Sequence, residues 1–245
     1  EDLIIQDLQF PDFNIPYGQT DVNPTGQLNA HATFREVTIP KYKEFIGDEQ
    51  RAKTYFTHLW AEHTKRDNDL TRHGYGGFSY NPRFWHPVVP TFQEFYKLSP
   101  ESSLLDVGCA KGFMLNDFAS LIPGLNVCGV DVSEYAIEHS LESVCHNLQF
   151  ADARELPFND NSFDLVISIN TVHNLEQAEL IKALKEIQRV SRKDAFITFD
   201  AYRNEEEKEA MFAWNLTAKT ILSVNEWKDL FREAGYYSDY YWFVP

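Results

Sequence analysis

Five short apolar runs alternate with helical patterns between Ser103 and Tyr202, and this alternation is the feature that most restricts the fold. The helical patterns place apolar residues three and four positions apart, and they are GFMLNDFASLI, SEYAIEHSLESV and AELIKALKEIQRVS. Strands that alternate with helices form parallel pairs with right-handed crossovers, in a sheet that is covered on both faces. The pattern therefore predicts an α/β fold with a doubly wound, mostly parallel sheet. The apolar runs are SLLDVG, NVCGVDV, NLQFAD, FDLVISI and DAFITFDA.

The segment before the first apolar run has a different character. Residues 53–68 and 92–98 are predicted to form helices, whereas the first 45 residues show little periodicity and contain several prolines. We therefore expect residues 1–98 to form an N-terminal cap that is partly helical and partly irregular, beside a compact domain over 99–245. After the last crossover, the pattern predicts a helix that is ended by Gly235 and then an aromatic strand.

Composition excludes some classes of partner. The 37 acidic and 22 basic residues give a formal net charge of −15, and Lys and Arg form no dense cluster, so a nucleic acid partner is not expected. No apolar run approaches the roughly 20 residues that span a bilayer, so a membrane partner is not expected either. The three cysteines are an odd number and pair with no His at metal-ligand spacing, which predicts free thiols, a cytoplasmic location and no metal site. The oligomeric state stays open.

The stretch SLLDVGCAKGFMLNDF is a buried strand that passes through glycines directly into a helix. Such a junction places backbone N–H groups at the carboxyl edge of the sheet, where open α/β sheets bind ligands. A dinucleotide-binding fingerprint needs G-x-G-x-x-G, but after Gly108 this chain has Ala110 and Phe113 at the other two glycine positions. No G-K-[ST] follows, so a phosphate loop is also excluded.

This junction resembles motif I of the class I S-adenosylmethionine-dependent methyltransferases, which is an acidic residue followed by G-x-G-x-G. Ala110 replaces the middle glycine. Three further segments, VCGVDVS, FADARELPFNDNSFDLVIS and INTVHNL, match the family in order and spacing, so the resemblance covers about residues 103–200. It implies a Rossmann-like sheet, S-adenosylmethionine as cofactor, and methyl transfer to an oxygen or nitrogen of a small-molecule acceptor such as a sugar or a biosynthetic intermediate.

The resemblance also implies a set of cofactor-binding residues. The carboxylate of Asp131 is expected to accept hydrogen bonds from the ribose hydroxyls, although it could instead cap the next helix, for which Ser133 is itself a good N-cap. Asp152 is expected beside the adenine, or else is a turn residue. The full set is Asp106, Gly108, Cys109, Ala110, Gly112, Asp131, Val132, Asp152, Ala153 and Asn170.

The acceptor side is less defined. His173 lies where several members of the family carry a histidine, so it is either a general base for an acceptor hydroxyl or a structural residue. The stretch RHGYGGFSYNPRFWHP, residues 72–87, either closes over the cofactor and acceptor or forms an aromatic plug at the open edge of the sheet. Its candidate substrate contacts are His73, Tyr75, Arg83 and His86.

Two other functions stay open at this point. A non-catalytic module that binds S-adenosylmethionine would carry the same motifs. A nicotinamide-dependent oxidoreductase is disfavoured by the glycine spacing.

Overall fold

The computed structural model describes residue 80, residues 82–214 and residues 218–243. Strands and helices alternate along these residues, which confirms the predicted α/β class. The strands are β1 (Ser103–Val107), β2 (Asn126–Asp131), β3 (Leu148–Phe150), β4 (Phe163–Ile169), β5 (Ser191–Tyr202), β6 (Leu222–Ser223) and β7 (Asp239–Phe243). The helices are α1 (Pro82–Trp85), α2 (Val89–Tyr96), α3 (Phe113–Leu121), α4 (Glu134–Glu138), α5 (Gln177–Val190), α6 (Glu205–Trp214) and α7 (Val224–Ala234).

The strands form one sheet in the order β3-β2-β1-β4-β5, and β5 then pairs with both β7 and β6. Every pairing between the described strands is parallel. The chain leaves β1 towards β2 on one side and later returns to β4 on the other side. The crevice at such a reversal of strand order is the expected ligand site of a doubly wound sheet.

Two hydrophobic clusters cover the two faces of the sheet. One contains α5 and α7 with the buried ring of Trp227. The other contains α2 and α3, where the ring centroid of Phe92 lies 5.8 Å from that of Phe118 and 5.1 Å from that of Phe196 on β5. α2 therefore packs on the sheet, although it lies before residue 99 and belongs to the segment expected to form the cap. The division at residue 98 stays a prediction.

An ion-pair cluster joins three strands at the amino edge of the sheet. The carboxylate of Asp164 on β4 accepts a hydrogen bond from the backbone N–H of Ser103 at 2.9 Å. Arg192 and Lys193, at the start of β5, lie 2.8 Å and 3.0 Å from the same carboxylate. Burial alone would raise the pKa of Asp164, but the two cations and the Ser103 hydrogen bonds lower it well below its ordinary value.

Several predicted elements shift in their bounds. The helix expected from residue 92 begins at Val89, because Pro90 occupies the first turn, where its missing N–H costs nothing. The helix that follows β2 stops at Glu138, and the hydroxyl of Ser140 instead donates to the carbonyl of Ile137 at 2.7 Å. The last helix does end at Gly235, and the aromatic strand follows it as predicted. The helix expected over residues 53–68 lies outside the described residues.

Candidate active site

The loop between β1 and α3 depends on two glycines. Gly108 has a φ of +89°, and a Cβ placed there would lie 2.2 Å from both Oγ1 and Cγ2 of Thr171. Gly112 has a φ of +76° and precedes the first residue of α3. Left-handed backbone strains any residue with a Cβ, and the contact with Thr171 leaves no room for one at Gly108. Glycine is therefore needed at Gly108 for two independent reasons.

Ala110, at the position of the middle glycine of the motif, also adopts a left-handed conformation, with a φ of +48°. Its backbone N–H donates a hydrogen bond of 2.8 Å to Oδ2 of Asp131 at the end of β2. The side chain of Ala110 therefore imposes a conformational cost that glycine would avoid, while the hydrogen bond helps to hold the loop in place.

Asp131 connects this loop to the start of α4. Its Oδ1 accepts a hydrogen bond of 2.8 Å from the backbone N–H of Ser133. The hydroxyl of Ser133 in turn accepts from the backbone N–H of Ala136 at 3.2 Å, so Ser133 caps the helix as anticipated. A carboxylate has about four acceptor positions, and the backbone N–H groups of Ala110 and Ser133, with a further one from Val132, leave at least one of them for the hydroxyls of a ligand. Burial raises the pKa of Asp131, and the backbone hydrogen bonds oppose that rise.

Two more of the expected residues, one on β1 and one in the loop itself, are buried. Asp106 on β1 is 5% exposed, and burial, together with the charge of Asp131, raises its pKa to about 8. The thiol of Cys109 is also buried, and burial raises its pKa well above the ordinary value. Burial therefore disfavours the charged form of both groups.

Asp152 pairs with a basic residue that the sequence analysis did not single out. The guanidinium of Arg154 contacts both oxygens of the Asp152 carboxylate, with Nε at 2.9 Å from each, and also pairs with Glu179 on α5. The resemblance offered no role for Arg154, and only its position two residues after Asp152 hints at the pair. Ala153, which stands between Asp152 and Arg154 in the sequence, packs against the hydrophobic core. The contact of Asp152 with an adenine stays a prediction.

Two apolar side chains at the same edge of the sheet are open to solvent. Val132 is 44% exposed, and Phe150 at the end of β3 is 54% exposed. The residue before Val132, Asp131, is the register partner of Phe150, so the two side chains lie at neighbouring strand ends. Val132 was expected at the cofactor. Phe150 was missed, although an aromatic residue directly before the Ala151–Asp152 pair is visible in the sequence.

The residues after β4 form a polar group with the end of β5. Asn170 has a φ of +49°, its backbone N–H donates to Oγ1 of Thr198 at 2.8 Å, and that hydroxyl donates to Oδ1 of Asn170 at 2.6 Å. His173 is 3% exposed, and burial lowers its pKa. Its Nδ1 accepts a hydrogen bond of 3.3 Å from the backbone N–H of Asp200, a buried residue that sequence reasoning did not single out. This group brings β4 and β5 together at the carboxyl edge of the sheet.

The candidate substrate residues are only partly described. His73 and Tyr75 lie outside the described residues, and Arg83 is described only as a backbone position in α1. His86 faces α3, where its Nδ1 lies 3.5 Å from Oδ1 of the buried Asp117. The hydroxyl of Tyr80 donates to the same oxygen at 2.5 Å, and burial and Asp117 together raise its pKa to about 12. This part of the stretch is therefore attached to the helix that follows the glycine loop.

Neither a metal-ligand cluster nor a membrane-spanning helix occurs in the described part of the chain. No group of three or more His, Cys, Asp or Glu side chains there is arranged to hold a metal ion. None of the helices in that part of the chain is long and apolar enough to cross a bilayer.

Comparison with known proteins identifies the domain that carries these residues. Residues 105–199 match a methyltransferase-domain family. Over 141 residues the chain is 27% identical to a malonyl-[acyl-carrier protein] O-methyltransferase of Legionella pneumophila, covering 56% of this chain and 48% of that protein. It is 33% identical over 91 residues to the mitochondrial arginine-hydroxylase NDUFAF5 of Mus musculus, covering 37% of this chain and 26% of the relative.

A third relative broadens the range of acceptors. A tRNA (carboxymethyluridine(34)-5-O)-methyltransferase of Arabidopsis thaliana is 31% identical over 149 residues, which cover 58% of this chain and 33% of that protein. The chain thus spans half or less of the length of these three relatives. Among solved structures, the YcgJ protein of Bacillus subtilis has a TM-score of 0.51 at 20% identity, covering 61% of this chain and 68% of that one, and shows the same fold.

Proposed function

Because residues 105–199 form a methyltransferase domain of the class I S-adenosylmethionine-dependent type, we propose that the chain methylates an oxygen or nitrogen of a small-molecule acceptor. The observation that carries the proposal is the link between the glycine loop and Asp131. This link places a carboxylate with acceptor positions to spare beside a backbone loop that follows β1. A ribose needs such a carboxylate, whereas the glycine spacing does not suit a pyrophosphate.

The residues present fit the expected cofactor. Asp131 has at least one acceptor position left for the ribose hydroxyls. Val132 and Phe150 offer exposed apolar surface at the neighbouring strand ends, which suits a purine ring. We assign the loop from Gly108 to Gly112 to the methionine and ribose portions of the cofactor.

The chemistry asks little of the protein beyond alignment. S-Adenosylmethionine supplies an electrophilic methyl group on a sulfonium, and the acceptor displaces it in line. Holding two reactants in a near-attack geometry contributes about 7 to 11 kcal/mol in the best small-molecule cases. The rigid loop and the buried edge around Asn170 and His173 suit this task, because they fix atoms and exclude water.

Charge supports a small acceptor over a nucleic acid. The net charge of −15 opposes phosphate binding, which depends on Lys and Arg. The tRNA methyltransferase of Arabidopsis thaliana shows that a relative with this domain is named for an RNA substrate, so RNA is the acceptor class to test against. The mouse relative is named for hydroxylation, so a protein with a similar domain need not be named for methyl transfer. A non-catalytic module that binds the cofactor stays the second candidate, because binding and transfer use the same residues.

Two measurements test this proposal. Calorimetry should show that S-adenosylhomocysteine binds and that NAD does not, and tight binding of NAD alone would contradict the proposal. Asp131→Asn should weaken S-adenosylhomocysteine binding by about 1.5 to 3 kcal/mol, or roughly 10-fold to 150-fold, because hydrogen bonds to a charged group are lost. Glu206→Gln makes the same chemical change at an exposed position of α6 and should leave the affinity unaltered.

Transfer of a tritiated methyl group then separates the acceptor classes. We expect label in a small phenol, sugar or amine and none in bulk tRNA. A chain that binds S-adenosylhomocysteine normally but labels no acceptor would favour the non-catalytic module.

A further inference from the structure

The face of β5 that is turned towards α2 changes from apolar to polar at its carboxyl end. Side chains alternate along a strand, so Phe196, Thr198 and Asp200 share one face, and Phe196 packs against Phe92. Thr198 and Asp200 are each 2% exposed. This switch occurs at the edge of the sheet where the proposed function places the reaction.

Asp200 is the member of this row whose carboxylate is incompletely paired among the described residues. Thr198 exchanges hydrogen bonds with Asn170, and the backbone carbonyl of Asp200 accepts from the indole N–H of Trp227 at 3.0 Å. Its carboxylate is different, because Oδ1 has no hydrogen-bond partner among the described residues and Oδ2 lies 4.0 Å from Nε2 of His173. A buried carboxylate oxygen without a donor is costly, so its presence calls for a role.

His173 lacks a free lone pair. Nδ1 accepts the backbone N–H of Asp200 at 3.3 Å, so this nitrogen carries no hydrogen in the neutral ring, and Nε2 carries it instead. The Nε2–H group is turned towards the Asp200 carboxylate. An imidazole in this state can donate a hydrogen bond but has no nitrogen available to accept a proton.

We propose that Asp200, and not His173, is the group that takes the proton of the acceptor, and that His173 is a positioning residue for its carboxylate. This inference rests on the proposed function. As a lone pair of the acceptor oxygen forms the new bond to the methyl carbon, the carbon–sulfur pair returns to sulfur, which becomes a neutral thioether. The hydroxyl proton moves to Oδ1 of Asp200, and an ammonium acceptor would give up its proton to the same oxygen before attack.

The surroundings of Asp200 suit this role. Burial raises its pKa, and a positive charge on His173 would oppose the rise, so the neutral imidazole leaves the carboxylate more basic than usual. The backbone N–H groups of Lys219 and Thr220 donate to the carbonyl of His173, both at 3.0 Å, and help to fix the backbone of His173. Asp200 is 2% exposed, so water has little access to its carboxylate, and an acceptor reaches Oδ1 only when neighbouring side chains move.

Two tests need no acceptor. In protein labelled with ¹⁵N-histidine, the signal that disappears in His173→Gln should report a neutral Nε2–H tautomer at pH 7. An imidazolium or an Nδ1–H tautomer would overturn the proposal. Asp200→Asn should melt at the same temperature as the parent or above it, because it removes an uncompensated buried charge. A clear drop in melting temperature would assign Asp200 a structural role and overturn the proposal as well.

The kinetic test uses the tritiated methyl donor with a panel of phenols, sugars and amines. Asp200→Asn should lower turnover at least 100-fold, remove the acidic limb of the pH–rate profile, and keep S-adenosylhomocysteine affinity within threefold. His173→Gln should lower turnover less than tenfold and retain that limb, and Asp229→Asn, exposed on α7, serves as the matched control. Loss of the limb in His173→Gln but not in Asp200→Asn would overturn the proposal. Intact S-adenosylhomocysteine binding with no labelled product would instead refute the proposed function.

Discussion

Gly108→Ala should destabilise the protein by about 2 to 5 kcal/mol, and the structure gives two separate contributions to this figure. A residue with a Cβ in left-handed backbone costs about 1 to 2 kcal/mol, and Gly108 has a φ of +89°. The new Cβ would also lie 2.2 Å from two atoms of Thr171, and overpacking of this kind costs about 1 to 3 kcal/mol. Urea unfolding gives the change in the free energy of unfolding, and calorimetry gives the accompanying loss of S-adenosylhomocysteine affinity.

The chain contains a matched control for this prediction. Gly235 has a φ of +68°, but a Cβ there would meet no atom closer than 3.9 Å, so Gly235→Ala should cost only the backbone contribution of about 1 to 2 kcal/mol. In a Thr171→Gly background, Gly108→Ala should lose only the backbone contribution, because the overpacking against the Thr171 side chain is absent. Equal losses in the two single alanine variants, or no recovery in the double variant, would refute the reasoning about Thr171.

Two further predictions concern stability. Ala110→Gly should raise the free energy of unfolding by about 0.5 to 1 kcal/mol, because relief of left-handed strain at a φ of +48° exceeds the added freedom of the unfolded chain; a lower melting temperature would contradict this. Asp164→Asn should cost about 2 kcal/mol at pH 7, since the ionised carboxylate loses its charged partners. The pKa of Asp164 is lowered in the folded state, so its contribution is present above about pH 4, the pKa in the unfolded chain, and is lost as the pH falls towards the folded value. Thermal unfolding between pH 2 and 7 should therefore show a weaker acid dependence below pH 4 in the variant, and parallel curves in that acid range would argue against the ion-pair cluster.

The sequence predicts this fold well where local patterns decide the outcome. The order of strands and helices, the turn at Gly108 and Gly112, and the cap at Ser133 follow from short-range periodicity and backbone requirements. The predicted length of α4 was wrong, because the pattern runs to Val144 whereas the helix ends at Glu138. The Ser140 hydroxyl competes for a helix carbonyl, and the sequence alone does not tell whether it will do so.

The candidate site was predictable only in part, because much of it depends on contacts between distant residues. Thr171 lies 63 positions after the glycine whose Cβ it excludes. Arg154 was missed since its pairing with Glu179 requires α5 to lie over the loop. The contacts between His173 and Asp200 depend on which ring nitrogen faces the end of β5, and the folded structure alone decides that orientation.

The cluster around Asp164 has a consequence for how this protein can change. Asp164 and Asn170 stand at opposite ends of β4, six residues or roughly 20 Å apart at about 3.3 Å per residue. The charges that hold three strands together are therefore remote from the groups proposed to meet the acceptor. Loops at the reacting end can accumulate substitutions for new substrates. The ion pairs at the far end stabilise the sheet and offset the stability that such substitutions cost. A directed-evolution library should accordingly randomise residues 170–175 and 218–221, and leave the start of β4 and β5 untouched.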